Sequence, residues 1–527
     1  MAYDLTGGRR SPANRKVSRE TVFRGPVRGW VRNENPGFPS GGSAVLLDNF
    51  FPTLEGCRLR RGTIKHATVD DPVVHIATYD SDTSAMFACT ADSIYDVTDP
   101  ADADVAPAAE VSSLTSGDWS SIQFSAGGAD YLIMVNGADT GQKYNGSFAN
   151  MTFTGVDTGD LSHVWAFKNR LFFVELGTLS AWYLPTLAVA GTATELPLGS
   201  VFKLGGALLF GTSWSQDAGD GLDDYCLFVT TKGEIAVYQG TDPSDATKWS
   251  LVGVYKIGDP LHKNAWFRAG GDVAILTKDG IVPVSVALNS DRAGLAAKAI
   301  TTPIEGAWRA YIDSRADLTT PFSCVLWPRR SMLVIGLPYL SGTEQRALVC
   351  NSVTGAWSSG YTGWDVRHAA VFDDKLYFGT NAGTIIQGEV GGSDDGAPYQ
   401  GVWIPAFDTM KMVAEKSAMH CRVFMRARYD VSIELFANAD YEVSAPTARP
   451  TDALDGGTTW DGSATWDSDA VWGSGEEQQS YFSEWQAVAA TGQALAAGLS
   501  VTSGSDAALD LEAFHLQLVV EVGEVAG

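Results

Sequence analysis

A strand, a Gly-bearing turn and a second strand recur along this chain. Copies of this unit begin at Met86, Leu132, Leu171, Leu227, Val273 and Leu376, and a divergent copy begins near Met332. Their starts are roughly 40 to 60 residues apart, the span of one four-stranded propeller blade. Such a blade buries both of its faces only when neighbouring blades stack around an axis. The repeats therefore predict an all-β protein with a β-propeller over residues 71–405.

The flanking segments differ from the repeats in composition and pattern. Residues 1–70 are basic and broken by Gly and Pro, which predicts an extended arm followed by a first strand. Ala-rich spacing around Pro303 indicates a short helical insertion near 288–312. After residue 405 the strands become longer and alternate apolar with polar positions, which predicts a C-terminal β-sandwich over 406–527.

Charge is unevenly distributed along the sequence. The 527 residues carry a net charge of −25, yet the first 65 residues are rich in Arg. A basic arm on an acidic body predicts electrostatic docking to an acidic partner, whereas the body itself should repel nucleic acid. The simpler interpretation, a solvated acidic surface that keeps the protein soluble, is equally open. No apolar run is long enough to span a membrane.

The segment 451–480 is rich in Trp and Asp. Its Trp residues recur every six positions, so an extended chain would project them to one side. The intervening carboxylates suggest calcium, but Val471 stands where an EF-hand needs an oxygen ligand. An acidic, aromatic loop that becomes ordered in an assembly is the preferred interpretation. Its candidate residues are Asp455, Trp460, Asp461, Trp466, Asp467, Asp469 and Trp472.

Signatures of catalysis and of cofactor binding are weak in this sequence. The seven His are dispersed, and no nucleophile elbow, P-loop or dinucleotide fingerprint appears. The acidic pair Asp223 and Asp224 could serve a glycosidase, but nothing in the sequence selects it among 62 acidic residues. The six scattered Cys are expected to be buried thiols. We therefore expect no enzyme activity, no bound metal and no cofactor.

Two segments resemble a known family. The stretch VLLDNFFPTLEGCRLRRGT resembles the opening "N-(F/Y)-P … G … R-x-G" of tail nozzle proteins of short-tailed bacteriophages, also called tail tubular protein B or packaged-DNA stabilisation proteins. The stretch GEIAVYQGTDPSDATKWSLVGVYKIG and the following AWFRAGGDVAILTKDGIVPVS look like the propeller core of the same proteins. The resemblance covers about residues 40 to 400 at the level of pattern.

The resemblance implies a structural virion protein. Six copies would form a ring below the portal and adaptor, extend the channel for DNA ejection, and contact tail fibres and the passing double-stranded DNA. Localisation would be the virion tail, after assembly in the bacterial cytoplasm. Arg and Trp are favoured interface anchors, and the Trp/Asp loop would act as a channel gate. The candidates for contact with the adaptor or a neighbouring subunit are Arg24, Arg28, Trp30, Arg58, Arg60 and Arg61.

Two other classes of function remain open. A glycan-binding or glycan-cleaving propeller in a receptor-recognition tail component would use exposed Trp such as Trp460 and Trp466. A cellular scaffold propeller would bind peptides, although the sequence lacks the WD and kelch signatures of that class.

Overall fold

A computed structural model describes residues 17–522 except 38, 216–223, 290–291, 316–317, 319–320, 413, 428–430 and 449–478. The described chain is all-β with many small sheets and divides into two compact units. One unit comprises the chain up to Arg60 together with the chain from Pro398, and the other comprises Arg61–Ala397. No helix in the described parts of the chain is long and apolar enough to cross a membrane.

The chain begins with five short strands of the first unit. They are β1 (Val17–Arg24), β2 (Gly29–Trp30), β3 (Ser43–Asp48), β4 (Phe50–Pro52) and β5 (Cys57–Leu59).

The second unit consists mainly of seven antiparallel sheets that follow one another along the chain. Sheet I consists of β7 (His75–Tyr79), β8 (Ala85–Cys89), β9 (Ile94–Asp96) and β10 (Ala109–Val111); sheet II of β11 (Ser120–Ala126), β12 (Ala129–Val135), β13 (Gln142–Tyr144) and β14 (Phe148–Asn150); and sheet III of β16 (Leu161–Phe167), β17 (Arg170–Glu175), β18 (Ser180–Tyr183) and β20 (Thr194–Pro197). Sheet IV consists of β21 (Leu208–Ser215), β22 (Asp224–Thr230), β23 (Glu234–Gly240) and β24 (Trp249–Lys256), and sheet V of β25 (Trp266–Ala269), β26 (Asp272–Thr277) and β27 (Gly280–Pro283). Sheet VI consists of β28 (Ser323–Trp327), β29 (Met332–Gly336), β30 (Arg346–Asn351) and β31 (Tyr361–Thr362), and sheet VII of β32 (His368–Phe372), β33 (Lys375–Gly379), β34 (Thr384–Gly388) and β6 (Thr63–Thr68). β15 (Phe153–Thr154) and β19 (Gly191–Thr192) form a small parallel pair.

Each of the seven sequence repeats forms the second and third strands of one sheet, including the divergent copy at Met332. The Gly turns follow from backbone geometry. Gly233, between β22 and β23, has a φ of +73°, and a Cβ there would lie 2.6 Å from the carbonyl oxygen of Ile257. Glycine adopts such a φ without steric cost.

The seven sheets contact one another in a ring. The first strand of each sheet contacts the next sheet, and β32 of sheet VII contacts β7 of sheet I. Sheet VII is completed by β6, which comes from the start of the unit and pairs antiparallel with β34. Buried aromatic rings fill the space between sheets, as where Trp165 lies 5.3 Å from Phe172 and 5.6 Å from Phe228. This arrangement is propeller-like.

Short helices lie between β27 and β28, where the sequence predicts an insertion. They are α1 (Val284–Ala287), α2 (Arg292–Leu295), the 3₁₀ turns η2 (Ala296–Lys298) and η3 (Thr302–Ile304), and α3 (Glu305–Asp313). Trp308 of α3 is fully buried and donates a hydrogen bond from Nε1 to the carbonyl oxygen of Thr277. Two further 3₁₀ turns are η1 (Thr158–Asp160) and η4 (Pro328–Arg330).

The remaining strands complete the first unit. They are β35 (Tyr399–Pro405), β36 (Lys416–Ala427), β37 (Ile433–Ala439), β38 (Gln479–Phe482), β39 (Gln486–Gly492), β40 (Leu495–Ser503) and β41 (Glu512–Val522). One sheet joins β1, β4 and β5 to β36, β38, β39 and β41, and the other joins β2 and β3 to β35, β37 and β40. The sheets meet closely, since a Cβ on Gly401 would lie 2.3 Å from Leu59.

The predicted separate N-terminal arm over residues 1–70 is corrected by this pairing. β1 runs alongside β41 from Val17 opposite Val522 to Arg24 opposite His515. β3 pairs with β35, so β35 belongs with the C-terminal strands and not with the predicted propeller ending at 405. The described strands β1 to β5 are members of these two sheets, whereas β6 belongs to the propeller-like unit.

The motif that carries the family resemblance has a structural explanation. Asn49 adopts a left-handed φ of 59° and donates from Nδ2 to the carbonyl oxygen of Gln400. Its Oδ1 accepts a 2.8 Å hydrogen bond from Arg60 Nε, and the Arg60 guanidinium lies 3.8 Å from the centre of the Tyr399 ring. Gly56 and Gly62 both lie against backbone, where a Cβ would approach carbonyl oxygens at 2.1 and 1.9 Å.

Substitution of Gly62 by Ala should destabilise the propeller-like unit by about 2 kcal/mol or more, because its Cβ would overlap the backbone of Ser393. The control is Gly306→Ala in α3, where a Cβ has open space and Ala is favoured by up to about 1 kcal/mol. Thermal unfolding of both variants measures the difference. Equal melting temperatures would contradict the steric explanation.

Candidate functional site

The predicted gate loop lies outside the described residues. Its members are Asp455, Trp460, Asp461, Trp466, Asp467, Asp469 and Trp472. The gate assignment therefore stays a prediction.

The six predicted interface residues separate into exposed and buried sets. Trp30 is 7% exposed and donates from Nε1 to the carbonyl oxygen of Val45, and Arg60 is 1% exposed. Both belong to the interior of their own unit, which corrects their assignment as surface anchors. Arg24 and Arg28 are exposed, and Arg28 is ion-paired with Glu34.

The other two predicted interface residues are only partly accessible. Arg61 is half-buried, and so is Arg58, whose guanidinium lies 4.7 Å from the centre of the Phe51 ring.

A cavity of about 1140 Å³ lies within the propeller-like unit, and we call it the inner-strand cavity. It is lined by the first strands of every sheet except VI, by Asp224 of β22 and by the loop residues that flank these strands. Most of the lining strands contribute only a few residues. Its polar and aromatic lining includes His75, Ser120, Ser121, Gln123, His163, Trp165, Thr212, Trp214, Asn264, Trp266, Arg268 and His368.

A buried ammonium group, that of Lys263, connects the starts of the first strands of sheets II, III and V. Lys263 donates from Nζ to the carbonyl oxygens of Asp118 at 2.6 Å and Ser162 at 3.0 Å. Its Nζ also lies 3.3 Å from Asp118 Oδ2. These acceptors precede or begin the first strands of sheets II and III, whereas Lys263 precedes that of sheet V. A charge this buried is stable only with such partners.

Asp118 is the counter-ion at this point. Burial alone would raise the pKa of Asp118, but the hydrogen bond from His262 and the charge of Lys263 hold it below its usual range. Burial lowers the pKa of Lys263, and the charge of Asp118 opposes that effect. Each of the two opposite charges therefore favours the ionised form of the other.

His163 is a buried, neutral histidine. The hydroxyl of Ser120 accepts from the backbone N–H of Val164, so its own proton points to His163 Nδ1 at 2.8 Å. The Nε2–H of His163 then donates to the carbonyl oxygen of Gly211 at 2.9 Å. Burial lowers the pKa of His163 to about 3, since every hydrogen bond of the neutral ring is already satisfied.

Two further histidines of the cavity lining lie together. The rings of His75 and His368 are 4.3 Å apart, and His368 Nδ1 accepts from the backbone N–H of Ile76 at 3.1 Å. His75 Nε2 lies 3.0 Å from the hydroxyl of Ser121, while its Nδ1 has no hydrogen-bond partner in the described structure. Burial lowers the pKa of both rings, so both are neutral at pH 7.

Aromatic side chains form another part of the lining. Trp266 is half-buried, and its ring stacks on Phe210 with centroids 5.8 Å apart. Trp214 is buried, with its Nε1 donating to Asp272 Oδ1. Asp224, of the acidic pair considered above, is ion-paired with Lys168 at 2.8 Å, and Asp223 lies outside the described residues.

The cavity offers neutral polar atoms beside aromatic surface. No cluster of three or more His, Cys, Asp or Glu in the described parts of the chain could hold a metal ion. His163 and His368 both stand eight residues before the start of a repeat, at Leu171 and Leu376. This shared spacing relates the two histidines to the repeats, and the description of the seven histidines as dispersed misses it.

Comparison with known proteins gives no family assignment. No family model matches the chain, and no curated protein matches it. Among solved structures, the computationally designed Ika8 protein is similar at a TM-score of 0.36 and 11% identity, covering 62% of this chain and 100% of its own. The β-propeller domain of Myceliophteria thermophila Cps50 (Swd1) is similar at 0.38 and 10% identity, covering 63% and 99%. Similarities at these TM-scores carry no argument about this chain.

The neutral state of His163 makes stability depend on pH. Its folded pKa of about 3 lies below the unfolded value near 6.5, so protons bind the unfolded chain first as pH falls. The contribution of neutral His163 to the free energy of unfolding is complete above about pH 6.5. Below that pH it declines by up to about 1.4 kcal/mol per pH unit. Asp118, whose pKa is lowered, adds a further loss below about pH 4.

Thermal midpoints measured from about pH 7 to about pH 4 should therefore fall less steeply for His163→Gln than for the native chain. His420→Gln, at an exposed position on β36, is the control and should keep the native slope. An unchanged slope in His163→Gln would show that this ring does not couple folding to protonation.

Proposed function

We propose that this chain is a structural, non-enzymatic subunit of the tail nozzle of a short-tailed bacteriophage. In this proposal the seven sheets form a closed β-propeller, six copies assemble into a ring below the adaptor, and double-stranded DNA passes between them. Support comes from the family resemblance of residues 40 to 400, from the charge distribution and from one exposed strand edge.

The exposed edge is the observation that carries the proposal. β24 is the outermost strand of sheet IV, eight residues long, and no further strand pairs with it in the described chain. Leu251, Val252 and Val254 on it are 44%, 48% and 37% exposed. Natural proteins usually shorten, charge or cover such edges, because a long apolar edge pairs readily with another chain. An assembly subunit explains why this edge is retained.

Electrostatic attraction is a second interaction that would support this assembly. Arg19 and Arg24 are exposed on β1, which forms an edge of its sheet with β41 on one side only. The remainder of the chain is strongly acidic, so a neighbouring copy or an acidic adaptor surface would attract this edge.

The same charge suits a DNA channel between copies. An acidic lumen cannot bind DNA by counterion release and would let the duplex slide. The contacts of Lys263 across the first strands argue that the route does not run through one propeller-like unit.

Localisation tests the proposal directly. Immunogold electron microscopy, with antibody raised against residues 406–527, should label the distal tip of a single short tail on particles from the source culture. Label on peripheral fibres or on cells alone would refute the nozzle assignment.

Substitution on the exposed edge tests the assembly. Val252→Lys with Val254→Lys should reduce the fraction of six-chain species of the 56.1-kDa protein in mass photometry with adaptor present, because charge opposes burial of the edge. The control is Val353→Lys, since this exposed Val lies on the turn after β30, away from an edge. Equal assembly of both variants would exclude the β24 edge as an interface.

A further inference from the structure

One face of the sheet that contains β1, β41, β36 and β38 is partly exposed to solvent. Its side chains alternate with buried ones along the strands, and directly paired residues of antiparallel strands point to the same face. Val22, Phe482 and Trp485 on it are 54%, 45% and 40% exposed. We call it the arginine-aromatic face, and it consists of one row of Arg24, His515, Phe424 and Phe482, an adjacent row of Val22, Gln517 and Arg422, and Trp485 after β38.

Arg422 contacts both exposed aromatic rings of this face. Its guanidinium carbon lies 4.4 Å from the ring centre of Phe482 and 4.4 Å from that of Trp485. Its Nε donates a 2.6 Å hydrogen bond to Gln517 Oε1. The side chain is therefore held in place before any partner binds, which reduces the entropy that binding would cost.

The terminal nitrogens of Arg422 are available to a ligand. Neither makes a hydrogen bond within the described chain, and neither is inaccessible to solvent. No carboxylate of the described residues forms an ion pair with Arg422 or Arg24, whereas Arg426 on the same sheet lies 3.7 Å from Glu512. A guanidinium whose Nε is occupied still presents its two Nη groups as a fork that fits a carboxylate.

The spacing of the two guanidiniums suits an extended peptide. Arg24 and Arg422 are two strands and one row apart, which puts roughly 12 Å between their Cα atoms. Alternate residues of an extended segment point the same way, so carboxylates four positions apart are separated by about 13 Å and match this spacing. An apolar side chain two positions further along would lie over Phe482, because β38 follows β36 in the same direction across the sheet.

A nucleic acid suits this face less well than a peptide. It carries a charge at every nucleotide, whereas the described residues of the face supply two uncompensated guanidiniums and the chain has a net charge of −25 that repels a polyanion. A peptide with two carboxylates and an apolar side chain satisfies the same groups at much lower charge.

We propose that the arginine-aromatic face binds an extended segment of a partner protein that carries two carboxylates and an apolar side chain. Arg24 and Arg422 pair with the carboxylates, and Phe482 and Trp485 pack against the apolar group. This inference concerns one sheet face of the first unit and depends neither on the nozzle proposal nor on assembly through β24.

Fluorescence anisotropy of the full chain with the rhodamine-labelled peptide Gly-Asp-Ser-Ser-Ser-Asp-Ser-Phe-Gly tests the inference. This peptide should bind, and a peptide with Asn in place of both Asp should bind at least about tenfold more weakly, because both ion pairs are lost. Arg422→Ala should weaken binding by about tenfold or more, as expected of an arginine at the centre of an interface. Arg329→Ala is the matched control, since it removes the same charge from an exposed position of the propeller-like unit and should leave binding unchanged.

Trp485→Ala is a second variant that keeps every guanidinium, in case Arg422→Ala does not fold. It should weaken binding with a native melting temperature, because Trp485 is exposed. The inference is overturned if the acidic peptide does not bind at millimolar concentration, if the Asn peptide binds equally well, or if binding survives both variants. It is also overturned if oligothymidylate displaces the peptide, or if the chain alone forms dimers that Arg422→Ala dissociates. Peptide binding without label on any tail would sustain this inference while refuting the nozzle.

Discussion

Completion of sheet VII by β6 is the constraint on which the rest of the structure depends. Sheet VII has only three strands of its own, and its fourth comes from residues 63–68, more than 300 positions earlier. The chain must therefore cross from the first unit into the propeller-like unit before the repeats begin, and return after they end. The first unit is consequently built from both ends of the chain, with β1 and β3 pairing to β41 and β35.

That crossing explains the residues of the family motif. Asn49 and Arg60, which flank β4 and β5, are held to each other by a hydrogen bond, and Arg60 also contacts Tyr399 of β35. Gly62, at the start of the propeller-like unit, allows its backbone to lie close to that of Ser393. A resemblance carried by these positions is a resemblance in how two units are connected. The resemblance is therefore direct evidence about architecture and only indirect evidence about function.

The repeats could be predicted from sequence because each consists of adjacent strands joined by a short turn. Their hydrophobic pattern and their Gly, as at Gly233, are local signals. The pairing of β1 with β41 could not be predicted in this way, because Val17 and its partner Val522 are more than 500 positions apart in the sequence. The assignment of Arg60 as a surface anchor is wrong for a related reason, because Arg60 is buried against Tyr399, which is distant in sequence. Most strands lining the inner-strand cavity contribute only a few residues, so no contiguous motif marks it.

Charge is distributed differently over the chain as a whole and inside the propeller-like unit. The protein as a whole is acidic, which disfavours stable contact with nucleic acid over distances set by ionic screening. Inside the propeller-like unit, by contrast, Lys263, Asp118 and Lys168 are compensated at close range, and His163 and His75 are neutral. The charged groups named here are therefore paired locally, whereas the chain as a whole carries a net charge of −25.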